Sequence, residues 1–591
     1  MAEPSTGGSS PQPPKELSTE VRLLLAFLLM GAVMFFTPYL FKTAAPPPGK
    51  KSPDTAGAPA ASGVPATSGV PAASGNPAPV ETAPLSTAPA EPAVAEGPPT
   101  TEATAEQPSP LFTIDTDLFR VTFSNQGATV RSWLLKKYKD NDGKPLELLN
   151  TASPLDHPFS LFFPGRQPTS KVNWTWYTQT GDPDGLGVAF HFSDGHTTIR
   201  KVFRFRKDSY LSEVTAEASV DGKPLPSMIQ WRGGFGDLTV GNAASGERTL
   251  YFDQAQNKLV ENTARAAKNG PVSVAGNFSF AGLADTYFAA VFLPKGVTSM
   301  QQVTFPDTVP TPLEATKPQP LVGAAVSDGD VNSFELYVGP KDVDILKRID
   351  PKLEQVVDFG WLSVLAKPLF LIVNWFNDAL VHNYGWAIVI VTIVLNFILF
   401  PLKLSNMKSM RKMQALKPQI DVINQKYKNL KMTDPRKAEQ NQEVMGLYKK
   451  HGVNPMGGCF PMLLQIPFFF AFYKVFTVSV EMRGASWLWV TDLSQPEHLA
   501  IRVLPIVMIA SQFLMQKMTP QASADPNQQR MMMFMPLIFG FMFYNFPSGL
   551  VLYYLTSNLV GIGQQWFFNH TESALQAARS VEPPKKKNGR K

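Results

Sequence analysis

The chain has almost no cysteine. Its 591 residues hold one, Cys459, which excludes an intramolecular disulfide and any cysteine-based zinc cluster. Histidine is sparse, and His157, His191, His196, His382, His451, His498 and His570 are scattered, a pattern that builds no obvious metal site. Charge is thin: Asp, Glu, Lys and Arg make up 17%, against roughly 25% in an ordinary soluble domain. No G-x-x-x-x-G-K-[ST] loop and no H-E-x-x-H pair occurs, so the motifs point neither to a nucleotide-driven machine nor to a zinc hydrolase. We expect no catalytic residue, no metal and no cofactor: the chain reads as a non-enzyme.

What the chain does have is apolar runs of membrane length. Leu23 to Phe41 gives 19 residues without a charge, about 28 Å as a helix, close to the thickness of bilayer hydrocarbon. It exceeds a signal-peptide core and lacks a good small-residue cleavage site. We read 21–42 as an uncleaved transmembrane anchor behind a polar N-terminus, 1–20. Residues 43–110 are Pro, Ala, Ser, Thr and Gly, too poor in large apolar side chains to fold, and predict a disordered linker. From Leu111 the pattern becomes short alternating runs, such as Phe119-Arg120-Val121-Thr122-Phe123 followed by the turn Ser124-Asn125-Gln126-Gly127. Period-two alternation predicts antiparallel strands, and 111–350 reads as an all-β sandwich domain in water. An amphipathic helix lying in the membrane interface is expected over 351–383, with Trp361, Leu365, Leu369, Ile372 and Phe376 on one face.

Five further spans follow at 384–402, 459–480, 501–516, 531–546 and 550–568. The segment 403–458 reads as a basic helical hairpin broken near Asp434-Pro435. Loops fall at 481–500 and 517–530, and a basic tail at 569–591. The fold class is therefore a polytopic α-helical membrane protein with six transmembrane helices, five of them a core, and one all-β domain. Basic residues set the orientation. Residues 403–457 carry 12 Lys/Arg against 4 Asp/Glu, and 571–591 carry 6 against 2. Both predict cytoplasmic segments, which with six spans puts both termini inside and the β domain outside.

Polar residues interrupt the spans. Thr392 and Asn396 are four apart and share a helix face. Asn396 precedes Lys403 by seven residues, about 10 Å along a helix. Gln465 and Lys474 lie in the second core span, and Thr556, Ser557, Asn558, Gln564 and Gln565 in the last. Such residues usually face a cavity, because a lysine at the bilayer centre costs roughly 2.5–3.5 kcal/mol. We read Thr392, Asn396, Gln465, Lys474, Ser557 and Asn558 as the lining of a wet vestibule in the inner leaflet. Two plainer readings stand beside this one: Ser557 and Asn558 as interhelical packing bonds, and Lys474 snorkelling to the outer interface. Lys403, Lys408, Arg411 and Lys412 are expected to contact cytoplasmic partners or anionic headgroups.

Three stretches carry a resemblance: Asn454-Pro455-Met456-Gly457-Gly458-Cys459-Phe460-Pro461 with Gln465-Ile466-Pro467; Phe546-Pro547-Ser548-Gly549-Leu550-Val551-Leu552-Tyr553-Tyr554 running on to Ser557-Asn558; and Pro401-Leu402. Over about 357–568 the chain resembles the YidC/Oxa/Alb family of membrane insertases. The β region looks like the external domain of its Gram-negative members, a periplasmic supersandwich similar to sugar-mutarotase folds. The resemblance implies a protein of the bacterial inner membrane that inserts and helps fold nascent membrane proteins, alone or with the Sec translocon. The route implied is a hydrophilic groove open to cytoplasm and lipid. It also implies a ribosome contact through the basic tail, membrane lipids around the helices, and no specific nucleic-acid sequence. Many members place an arginine in the groove where this chain has Asn396. We expect Lys474 to supply that charge instead. Two other classes compete. A solute transporter would need a through-path and usually repeated halves, which are not seen, and no Asp or Glu lies in any expected span. A carbohydrate-active enzyme would rest on fold alone.

Overall fold

The structure, a computed structural model, describes residues 108–240, 246–296, 299–360, 362–428, 436–453, 460–519 and 526–581. The readings made for 1–20, the anchor, residues 43–107, Trp361, Asp434-Pro435, Asn454–Cys459 and 582–591 lie outside the described residues.

Alternation builds the β domain. Thr197–Phe205 buries every second side chain and pairs antiparallel with Gly187–Ser193 on one side and Leu211–Val220 on the other. Three antiparallel sheets result among the described residues, of four, ten and five strands. Trp133 of the four-stranded sheet joins all three. Its ring lies 5.8 Å from Phe205 of the ten-stranded sheet and 6.2 Å from Trp231 of the five-stranded one. Aromatic pairs at such spacing add to the large area each ring removes from water. The expected turn at Ser124–Gly127 links Phe119–Ser124 to Thr129–Lys139. Gly127 is needed there: its φ is +66°, and a Cβ would stand 2.3 Å from the Asn173 carbonyl oxygen.

Helices take over after the sheets. Helix α1, Val343–Ile349, is capped by the Asp342 carboxylate. Helix α2, Ser363–Phe376, continues through a wider π turn to Val381 and stops at His382, whose φ is +48°. Its buried face is Ala366, Leu369, Phe370 and Val373, while Ile372 is exposed. The apolar face read from sequence is thus rotated. Asn383 caps helix α3, Tyr384–Ile398.

Helix α4, Phe400–Ala415, follows with a bend of 57°. Pro401 has no N–H to offer the carbonyl four residues back, so the helix breaks at Leu399. The boundary expected at 402/403 is therefore not a helix end. Helix α5, Lys417–Lys426, and helix α6, Arg436–Lys450, follow in the basic segment, whose described residues hold three helices where two were expected. Helix α7 is Phe460–Val478, α8 Val503–Met518, α9 Pro526–Phe543 and α10 Ser548–Val581. Helix α10 runs past the expected end at 568. By length and composition, one unbroken helix among the described residues, Ser363–Val381, could cross a membrane, and bent α3–α4 makes a second candidate.

The helical part is turned inside out relative to the β domain. Phe397, Ile398, Leu514, Phe534, Leu537 and Phe541 are exposed. Thr392, Asn396, Ser511, Ser557, Asn558 and Gln564 are buried.

Candidate functional site

Asn396 is the hub of the buried polar set. Its Nδ2 donates to the Thr392 carbonyl at 2.8 Å, a back-bond along its own helix. Thr392 does the same to Ile388 at 2.6 Å. The Asn396 Oδ1 then faces outward from α3. It accepts from Ser557 Oγ of α10 at 3.3 Å and from Lys403 Nζ at 2.5 Å. Gln564 Nε2, two turns further along α10, donates to the Asn396 carbonyl at 3.3 Å. Lys403 has no carboxylate partner among the described residues. A second link lies beside this one, where Asn558 Nδ2 donates to Ser511 Oγ of α8 at 3.0 Å. Three helices, α3, α8 and α10, thus turn amides and hydroxyls toward one another within an apolar exterior.

The other expected lining residues fall elsewhere. Gln465 of α7 donates to Tyr553 Oη of α10 at 2.5 Å. Lys474 does not join the cluster. It lies four residues from the end of α7, and its amine reaches Asp358, the link between β domain and α2, at 3.2 Å. Burial pushes the Asp358 carboxyl up, but Lys474 and the Gly360 amide outweigh it and hold the group below the usual carboxylate range. The cation at the polar cluster is Lys403, expected only as a cytoplasmic contact. Its signal was present in the sequence, since Lys403 follows Asn396 by only seven residues, within reach of a long side chain folded back.

Of the other basic residues, Arg411 donates to Asn569 of α10 at 3.0 Å and covers the Phe568 ring at 5.0 Å. Lys408 and Lys412 are exposed. Sequence reasoning missed Ser511, because a lone serine in an apolar helix carries no sign of its partner. Chemically, the arrangement offers neutral donors and acceptors plus one ammonium. No group of acids, histidines or cysteines able to hold a metal occurs among the described residues. The set can hydrate and hold a polar peptide segment; it has no activated nucleophile.

A family model described as YidC periplasmic domain matches residues 111–372, and one described as 60Kd inner membrane protein matches 375–575. A protein from Pelobacter propionicus named membrane protein insertase YidC is 35% identical over 489 residues, 80% of this chain and 88% of that one. Its namesake from Geotalea daltonii is 33% identical over 583 residues, 93% and 99% of the two chains. The crystal structure of an active YidC insertase with its first transmembrane domain resolved overlaps 77% of this chain and 92% of that one. Identity is 19% and the TM-score 0.34, too slight a superposition to bear on the fold.

Proposed function

The chain belongs to the YidC family of membrane protein insertases, and from that premise we propose that it inserts its clients through the polar cluster around Asn396. It is an inner-membrane protein with a β-rich periplasmic domain and a helical C-terminal region, it acts on membrane proteins, and it is not an enzyme. In our reading the periplasmic domain is a supersandwich, the chain spans the bilayer six times, and both termini are cytoplasmic.

The route through the membrane follows from energetics. A client must carry a polar flank across about 30 Å of hydrocarbon. Unbonded polar groups there cost several kcal/mol each. A wet notch reaching to Asn396 shortens the dry path, and the client's own apolar segment then slides into lipid, driven by its burial. No fuel is required. The observation that carries this reading is the Lys403–Asn396–Ser557 chain of hydrogen bonds, a cation and two neutral groups inside a lipid-facing helix bundle.

Orientation decides the place of α2. Were Ser363–Val381 to cross the bilayer, α3 would cross back and leave the basic segment after Lys403 on the outer face, against the charge rule. We therefore place α2 in the interface, with Val364, Leu371 and Trp375 toward lipid. Cooperation with the Sec translocon, a ribosome contact through the basic tail and headgroup contacts through Lys408 and Lys412 belong to the same proposal.

The test is site-specific photocrosslinking of a stalled nascent membrane protein to probes at 392, 396 and 557, with 541 as a lipid-facing control. Crosslinks at the first three and few at 541 are expected. Equal yield at all four positions would refute a groove at Asn396.

A further inference from the structure

The loop between α7 and α8 makes more bonds than a connection needs. Its carbonyls at Gln495 and Leu493 accept the Ser548 and Gly549 amides, both at 2.8 Å, and so cap the outer end of α10. Glu497 accepts the Leu504 amide at 2.8 Å and caps α8. Ser486 accepts from Asn383 at 2.9 Å at the head of α3, and Trp487 stacks edge-on to Trp386 at 5.7 Å. Its own Val480, Met482, Val490 and Leu493 are buried. The two helices it caps, α10 and α8, and the third whose cap it holds, α3, are the three that carry the polar cluster, approached from the opposite end.

One side chain ties this lid to the β domain. Arg483 Nε donates to Asp237 Oδ2 at 3.0 Å, Nη2 donates to the same oxygen, and Nη2 also reaches the Lys139 carbonyl at 2.6 Å. The two side chains are 7% and 1% exposed. The rings of Tyr287 and Phe288 flank the guanidinium at 5.9 and 5.7 Å. The receptor is organised on its own account, because Asp237 Oδ1 accepts from Thr239 and the Asp237 amide is held by Asp285 at 2.7 Å. A desolvated pair with this many fixed bonds is costly to break from one side, since the remaining charge is left buried.

We infer that the periplasmic domain bolts the outer lid of the insertase shut through Arg483 and Asp237, keeping the polar cluster sealed from the periplasm. These are positioning residues, acting through the loop. The inference rests on the groove reading above. It gives the β domain a mechanical role, because a notch wet to half depth must stay dry on its far side or the membrane leaks.

The experiment uses the full chain with Cys459→Ser and Thr392→Cys. A membrane-impermeant maleimide is applied either to spheroplasts or to inverted membrane vesicles. In this parent, labelling is expected from the cytoplasmic side only. Arg483→Gln should admit the reagent from the periplasm, with labelling about ten-fold faster or more, the factor equivalent to about 1.4 kcal/mol of lost closure. Arg483→Lys, which keeps one charged donor, should restore much of the seal, a graded response that mere misfolding would not give. Should Arg483→Gln fail to accumulate, Asp237→Asn removes the charge and keeps the shape. A periplasmic rate equal to the parent's in whichever variant accumulates overturns the bolt. A parent unlabelled from the cytoplasm overturns the groove reading itself, and the bolt with it.

Discussion

The two halves of the molecule each take a lysine inward without a carboxylate, and they use it differently. In the β domain Lys201 is 1% exposed, and its ammonium donates to the carbonyls of Gly127, Ala128 and Phe159 at 2.7, 3.3 and 2.7 Å. An ammonium has three N–H donors, so Lys201 is saturated. It staples a turn to two other segments far apart in sequence. In the helical core Lys403 is only partly buried, and one acceptor, the Asn396 amide, meets it among the described residues. Donor capacity is left over there. A completed coordination shell marks architecture, and under the groove reading proposed above the partly exposed ammonium is the one that would meet a client.

The largest effect we predict would break the first half of that contrast. Lys201→Met keeps the volume, but strands three buried carbonyls, each worth about 1–3 kcal/mol. We expect a loss of about 3 kcal/mol or more, seen as a lowered unfolding temperature of the full chain in detergent by near-ultraviolet circular dichroism. A change under about 1 kcal/mol would mean that the staple is not structural.

The next effect, in the opposite direction, lies at the seam between the halves. Burial, with Asp342 and Asp344 nearby, pushes the Glu481 carboxyl up to about 8, and its Oε2 has no hydrogen-bond partner among the described residues. A carboxyl whose folded pKa exceeds its unfolded value stabilises the fold below the unfolded pKa, near 4.5, and that contribution is lost as pH rises through about 8. Glu481→Gln stays neutral throughout. Its advantage over the native chain should be nil near pH 4.5 and grow to a few kcal/mol, at roughly 1.4 kcal/mol per pH unit at most, by about pH 8, read as the difference in unfolding temperature across that range. An advantage constant with pH would rule out titration as its source.

The third prediction addresses the incomplete lysine. Lys403→Gln should slow insertion about five-fold, the equivalent of about 1 kcal/mol for one charge-assisted contact. Unfolding should change by less than about 0.5 kcal/mol. Lys403→Arg should insert near the native rate. If Lys403→Gln instead destabilises the chain as Lys201→Met does, the two lysines are alike and the contrast fails.

How much of this was legible beforehand depends on how local each feature is. The strands over 119–124 and 197–205 were readable because burial alternates along one segment. The three-sheet arrangement was not, because Met228–Trp231 finds its partners at Ser160–Phe162 and Gln319–Ser327 through pairing that no local pattern announces. Pro401 was visible, yet the hinge it causes falls two residues earlier, where the missing bond is felt. Asn396, Ser557 and Asn558 announced themselves as polar residues in apolar runs, and they do sit inside the bundle. Arg483 and Asp237 stand 246 residues apart, and neither looks unusual in its own stretch. Lys474 misled for a related reason: its place in an apolar run showed that it must escape lipid but not toward which end.

That placement of Lys474 beside Asp358 sets the smallest predicted effect. Lys474 and Asp358 are 19% and 47% exposed, so water screens the pair, and such pairs are worth about 0–1 kcal/mol. Asp358 keeps the Gly360 amide at 2.8 Å whether or not the lysine is present. The lysine stem lies over Gly360, where a Cβ would meet Lys474 Cε at 3.1 Å, so part of its contribution is apolar packing that alanine forfeits. Lys474→Ala should therefore cost under about 1 kcal/mol in stability and leave insertion within about two-fold of native. The informative comparison is with Lys403→Gln on the same client. A larger insertion defect from Lys474→Ala would return the working charge to α7 and the outer side, and would make Lys403 one more cytoplasmic lysine resting on an amide.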